Sequence, residues 1–167
     1  MNHSPFQDWS SNRGNPRSQL VLLLFRIAQC FYRLPVRLRW IGFPYFSFYE
    51  LLVVWIFGIE LSYKATIGPG LRLFHGVATV IHQSVVIGKQ CTLRHSTTIG
   101  MRREQEAVPI LGDAVDIGCQ SVIIGPIRIG NGVTIGAGSV VLHDLPDHAV
   151  AVGNPARIIK KETLSSS

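Results

Sequence analysis

Residues 111–141 read LGDAVDIGCQSVIIGPIRIGNGVTIGAGSVV, and within them Leu111, Ile117, Ile123, Ile129, Ile135 and Val141 stand six residues apart. The same interval separates Leu61, Ile67 and Leu73, and again Ile81, Ile87, Leu93 and Ile99. Glycine follows the aliphatic residue at Gly68, Gly88, Gly100, Gly112, Gly118, Gly130 and Gly136, and small or aliphatic residues such as Val115, Ser121, Ile127, Val133 and Ser139 recur four places on. A helix repeats every ~3.6 residues and a strand about every two, so a period of six fits neither. It predicts a solenoid of short parallel strands joined by tight turns, each strand placing one aliphatic side chain in a stacked interior. One strand cannot bury that residue alone, so stacking makes the core.

The period starts near residue 59 and is interrupted once, by the charged stretch MRREQEAVPI at 101–110, which is expected to leave the solenoid as a loop. Upstream, residues 20–34 and 45–59 are long apolar stretches broken at helical intervals by Arg26, Arg33 and Glu50, with Pro35 and Pro44 bracketing the connection. The expected organisation is an all-β solenoid at 59–161, preceded by a helical segment at 1–58 and followed by a disordered tail at 162–167. A membrane span needs roughly 18 nearly uninterrupted apolar residues, and the longest uncharged apolar run, Leu51 to Ile59, is about half that. Trp40 to Ile59, however, carries only Glu50, so a span stays open beside docking on the solenoid and a peripheral membrane contact.

The chain has 167 residues, 47% of them hydrophobic, and a net charge of +6. These values suit one folded domain with an appendage. Cys30, Cys91 and Cys119 are an odd count without a CxxC pair, and the polar N-terminus lacks the apolar run of a secretory signal, so a cytoplasmic location is expected. Arg13, Arg17, Arg26, Arg33, Arg37 and Arg39 lie between Trp9 and Tyr49 with no acidic residue among them. They form either a solvated face or a surface drawn to an anionic membrane or substrate. No nucleic-acid motif accompanies them, and no nucleic-acid partner is expected.

The segments FGIELSYKATIGPGLRLFHGVATVIH, LRHSTTIG, VDIGCQSVIIGPIRIGNGVTIGAGSVVLHDLP and AVGNPARIIKK resemble the left-handed parallel β-helix acyltransferases over roughly Phe57 to Lys161. The likeness is to their serine acetyltransferase branch, especially its colanic-acid and exopolysaccharide acetyltransferases. It implies an acetyl-CoA-dependent O-acetyltransferase, without metal, assembled as a homotrimer whose coenzyme grooves lie between subunits. The implied acceptor is a glycan or lipid-linked sugar handled at the inner face of the membrane. Serine O-acetylation and a non-catalytic trimeric scaffold are the alternatives.

Acetyl transfer needs a base for the attacking hydroxyl, and neutral imidazole is suited to it. His3 lies in the N-terminal tail, and His143 and His148 lie near the closing turn, which leaves His75, His82 and His95. The resemblance selects His75, which matches the family's catalytic histidine. It also places Glu60, fifteen residues earlier, where serine acetyltransferases carry the carboxylate of their dyad. A scaffold that had lost catalysis should lack one of the two. His95 stands where those enzymes commonly have Gln, and either lines the acceptor site or satisfies a backbone group; His82 is expected to be structural. Gly118, Ala137, Gly153 and Pro155 match small or shaping residues of the coenzyme groove, with Arg157, Lys160 and Lys161 as phosphate partners. Zinc-binding γ-type carbonic anhydrases share such a solenoid, but the likeness is not to them. Two departures bear on the acceptor. Phe74 replaces the Asp that binds the amino acid in serine acetyltransferases, and Val108 rather than His precedes Pro109. Both disfavour serine.

Overall fold

The six-residue period winds into a three-sided parallel solenoid of about five coils. The computed structural model describes residues 4–161; His3, the tail expected at 162–167 and the side chains of Lys160 and Lys161 lie outside the described residues. The first coil holds β1 (Ile59–Leu61), β2 (Thr66–Ile67) and β3 (Arg72–Phe74), and the second β4 (Thr79–Ile81), β5 (Val86–Ile87) and β6 (Thr92–Arg94). The third holds β7 (Thr98–Gly100), β8 (Ile110–Leu111) and β9 (Asp116–Ile117), and the fourth β10 (Val122–Ile124), β11 (Arg128–Ile129) and β12 (Thr134–Ile135). The fifth has β13 (Val140–Val141) and β14 (Ala149–Gly153), on which β15 (Ala156–Lys161) folds back antiparallel. The first face stacks β1-β4-β7-β10-β13, the second β2-β5-β8-β11, and the third β3-β6-β9-β12-β14-β15.

The register puts like on like. Leu61, Ile81, Ile99, Ile123 and Val141 form one interior column, and Ile67, Ile87, Leu111 and Ile129 another. All of these are buried, as are the residues four places on, among them Cys91, Val115, Ser121, Val133 and Ser139. Cys91 is therefore a core residue, and burial pushes its thiol up to about 11. Along one corner, side chains rather than helices tie the coils together. Asp113 Oδ1 accepts from the Lys89 N–H, Asn131 Oδ1 from the Asp113 N–H and Asp147 Oδ1 from the Asn131 N–H, at 2.7–2.8 Å.

The helical segment closes the end of the solenoid. Helix α1 (Pro16–Tyr32) starts four residues earlier than its apolar pattern suggests, because Asn15 caps it by accepting from the Ser18 N–H and Pro16 suits its first turn. A 3-10 stretch at Val36–Gly42 leads to α2 (Phe43–Tyr49), which continues as a π-helix over Glu50–Ile56. Pro44 lies within the first turn of α2 rather than before it, and the helix ends by Ile56, since Gly58 takes φ 64° and Ile59 opens β1. The loop is likewise one residue shorter than expected: Ile110 donates its N–H to Ile127 O at 3.0 Å and belongs to β8.

An unpaired first coil would leave carbonyls and N–H groups exposed at its edge. Side chains of the N-terminal segment take them up. Asn12 bonds both the carbonyl of Leu71 and the N–H of Leu73, Ser18 donates to Leu73 O at 2.6 Å, and Gln29 donates to Ala65 O. Arg26 donates to the carbonyls of Ile67 and Gly68 and pairs with Asp8, which accepts from the Leu71 N–H. Arg26 is thus no part of a solvated basic face. It is buried, and its carboxylate partner lies just before Trp9, outside the arginine-rich window. No helix among the described residues is long and apolar enough to cross a membrane.

Candidate active site

The corner joining the third face to the first carries His75 after β3, His95 after β6, Cys119 after β9, Ala137 after β12 and Gly153 at the end of β14. Backbone bonds align these corners: the Ser96 N–H donates to Val77 O, the Gln120 N–H to His95 O and the Gly138 N–H to Cys119 O, at 2.8–3.1 Å. Two sets of sequence-derived candidates, histidines and small coenzyme-type residues, therefore share one edge of the prism.

The corner bearing His75 departs from the regular turn. Leu73 and Ile81 are eight residues apart instead of six, and the extra length lies at His75–Gly76. Ordinary corners place a left-handed residue three before the aliphatic, as at Ala78, Gln90, Ser96, Ala114 and Gln120. His75 adds a further one, with φ 63°, followed by Gly76 at φ 48°. A left-handed φ is ordinary at these corners; what sets this one apart is the additional left-handed pair, His75 and Gly76, that lengthens the turn. Gly76 has no room for a side chain: an added Cβ would meet Leu73 Cδ2 at 2.7 Å and Ile59 Cδ1 at 3.1 Å. The result is an imidazole lifted onto the exposed rim.

The His75 and His95 rings lie 6.5 Å apart and, with Phe74, Arg94 and Cys119, line a cavity of about 220 Å³. His95 Nδ1 is buried and has no hydrogen-bond partner among the described residues, so this histidine does not serve a backbone group through that atom. Phe74, in register with Arg94, is flanked by two guanidinium groups, Arg72 at 5.4 Å and Arg94 at 5.6 Å from its ring centre. Arg94 is fixed by Asp116 and by Ile117 O, and the hydrogen bond to Asp116 raises its pKa further. Sequence reasoning passed over Arg94, Asp116 and Cys119. Their signal was positional, since each directly neighbours a corner residue or an interior aliphatic.

Glu60 does not line this cavity. It is exposed on β1, in register with Val80, and makes no ion pair among the described residues. It lines a separate cavity of about 670 Å³ with Trp55, Lys64, His82 and Met101. That cavity is the larger, but it holds neither His75 nor His95, so the smaller one is the better candidate for the chemistry. His82 Nδ1 accepts from the Ser84 N–H at 3.2 Å.

At the far end of the edge, Pro155 follows Gly153 in the turn between β14 and β15, and Arg157 is exposed in register with Val152. Lys160 and Lys161 continue the same strand. Gly118 packs where a Cβ would lie 2.4 Å from Ala137 N, so its coil contact alone requires glycine. His143 and His148 are five residues apart, but no group of three His, Cys, Asp or Glu among the described residues could hold a metal ion.

No family model matches the chain. WcaB of Escherichia coli (strain K12), whose name assigns it to colanic acid biosynthesis as an acetyltransferase, is 40% identical over 116 residues, covering 69% of this chain and 72% of that protein. Serine acetyltransferase 4 of Arabidopsis thaliana is 39% identical over 106 residues, which is 62% of this chain but 30% of that longer protein. Among solved structures, the soybean serine acetyltransferase apoenzyme superposes with a TM-score of 0.80 at 30% identity, over 93% of this chain and 67% of that one. The chain belongs to the left-handed β-helix acetyltransferases of the serine acetyltransferase and WcaB group. It is an acyltransferase by that membership.

Proposed function

We propose that the chain moves the acetyl group of acetyl-CoA onto a hydroxyl of a sugar or polysaccharide precursor, with His75 as general base. The observation that carries this reading is the shared edge, on which a histidine-lined cavity and the small residues at Gly118, Ala137 and Gly153 follow one another coil by coil. A donor laid along it sets its thioester at His75, with Arg157, Lys160 and Lys161 near its phosphates. The imidazole takes the proton of the acceptor hydroxyl as that oxygen bonds to the thioester carbonyl carbon. The tetrahedral oxyanion then expels the coenzyme thiolate, which recovers the proton from the imidazolium. Glu60 is the orienting partner in this proposal: it lies two residues after Gly58, whose carbonyl accepts the Ala78 N–H of the His75 corner, while His95 and Phe74 line the acceptor side.

Serine O-acetylation, the rival reading, is favoured by the names of several relatives. The cavity disfavours it, because Phe74, His75, Arg94, His95 and Cys119 include no carboxylate to receive an ammonium group. Donor grooves between subunits make a homotrimer the working form. The surface from Val36 to Ile56 exposes Trp40, Phe43, Trp55 and Ile56 beside Arg33 and Arg37, which suits peripheral contact with the cytoplasmic face of a membrane where lipid-linked glycans are built.

The test is thiol release from acetyl-CoA by the purified protein against saccharides, sugar phosphates and serine. Saccharide-dependent release is expected. Efficient turnover of serine with none of the saccharides would overturn the proposal.

A further inference from the structure

We infer that the acceptor carries an anionic group, carboxylate or phosphate, on or next to the ring that is acetylated, and that Arg72 binds it. This rests on the proposed saccharide acceptor and narrows its class. The argument begins on the outer surface of the third face, where Arg72, Phe74, Arg94 and Asp116 stand together beside the His75 corner.

The two arginines flanking Phe74 are not equivalent. Arg94 is already matched: both terminal nitrogens are directed at Asp116 and one also donates to Ile117 O, so its charge is cancelled and its plane held. Arg72 donates only its Nε–H, to Ser11 O at 2.9 Å, and its terminal nitrogens have no hydrogen-bond partner and no carboxylate within ion-pair distance among the described residues. Since Asp116 is consumed by Arg94 and no acidic residue lines the cavity, the rim of the site holds one uncompensated positive charge.

That charge has a place and a direction. Arg72 and Phe74 are alternate residues of β3 and point to the same side, the guanidinium 5.4 Å from the ring centre. Phe74, with both guanidinium groups over its ring, keeps about 37% of its surface exposed, an apolar patch against which a pyranose can set its C–H groups. A sugar lying against that patch, with a hydroxyl toward His75, has its far side beside Arg72, whose free fork matches the two oxygens of a carboxylate or phosphate. A neutral sugar would leave the fork to water.

The experiment compares kcat/KM of the wild-type protein for matched acceptors: an oligosaccharide containing a hexuronic acid against its carboxyl-reduced form, and a sugar phosphate against the free sugar. The anionic member of at least one pair is expected to be used about tenfold better or more, mostly through KM, with a preference that shrinks as salt is raised. The pair that shows the preference identifies carboxylate or phosphate. Arg72→Gln should abolish the preference while the KM for acetyl-CoA reports an intact donor site; Arg72→Lys should restore part of it. Equal use of charged and neutral members by the wild-type protein overturns the inference and leaves saccharide acetylation standing. A preference that survives Arg72→Gln removes Arg72 from the role. If serine alone is acetylated, the proposed function falls, and this inference with it.

Discussion

Arg26 and Asp8 pair at 2.7 Å with both side chains about 2% exposed, and between them they hold the backbone of Ile67, Gly68 and Leu71 at the open end of the first coil. Breaking such a pair leaves a buried charge unmatched, which costs about 3–5 kcal/mol. Arg26→Leu should lower the unfolding free energy by that amount, read as a fall in the urea midpoint at unchanged m. Asp8→Asn, which keeps an acceptor for the Leu71 N–H, should cost less. Equal midpoints for Arg26→Leu and wild type would mean that the helical segment is not what caps the solenoid.

The ladder through Asp113, Asn131 and Asp147 makes a smaller, local prediction. Asn131→Ala removes the acceptor for the Asp113 N–H at a solvent-exposed corner, and a loss of about 1 kcal/mol is expected. Asn131→Asp keeps the oxygen but sets a third carboxylate between Asp113 and Asp147, so it should recover only part of the loss, and more of it at high salt. Chemical denaturation of the three proteins measures the difference.

His75→Ala should reduce transfer by about 10²–10⁴-fold with the melting temperature and acetyl-CoA affinity nearly unchanged. Retention of more than about a tenth of the rate would move the base elsewhere, His95 being next. Glu60→Gln should have a milder effect, as orienting groups do. Gly76→Ala removes no functional group, yet it forces a Cβ against Leu73 and Ile59 at a left-handed φ, so it should depress both rate and stability by displacing His75.

Cys91 predicts an alkaline limb in stability. Its thiol titrates near 9.0 when unperturbed and at about 11 in the fold. The unfolded chain therefore releases this proton first as pH rises, and the stability due to the neutral buried thiol is complete below about 9 and lost between 9 and 11. Cys91→Ala should be less stable near neutrality but show a flatter decline across that window. Parallel declines for both proteins would assign the limb to other groups.

A homotrimer should appear by mass measurement in solution. A strict monomer with full turnover of acetyl-CoA would remove both the assembly and the shared donor groove from the proposal.

The solenoid was legible because its information is local and periodic. A buried column at Leu61, Ile81, Ile99, Ile123 and Val141 needs only an aliphatic residue at a fixed interval. The cap was not legible. Asn12 reaches Leu71 and Leu73 across about sixty residues, and nothing periodic marks Asp8 or Arg26 as partners. Of the candidate site, the resemblance pointed to His75 and Phe74, and the eight-residue step from Leu73 to Ile81 was visible but unread. Arg72 and Arg94 looked like ordinary strand surface until the register set Phe74 between them.

The aligned corners turn one edge of the prism into a ruler. Coils rise by about 4.8 Å each, so four steps from His75 to Gly153 measure roughly 19 Å, and every graduation is one coil. An inserted coil of three hexapeptides would disturb little in an interior that already repeats, but it would shift the marks beyond it by a full graduation. With the donor laid along the edge as proposed, repeat number is tied to its length. A solenoid one coil longer could fold as well and still fit a different donor.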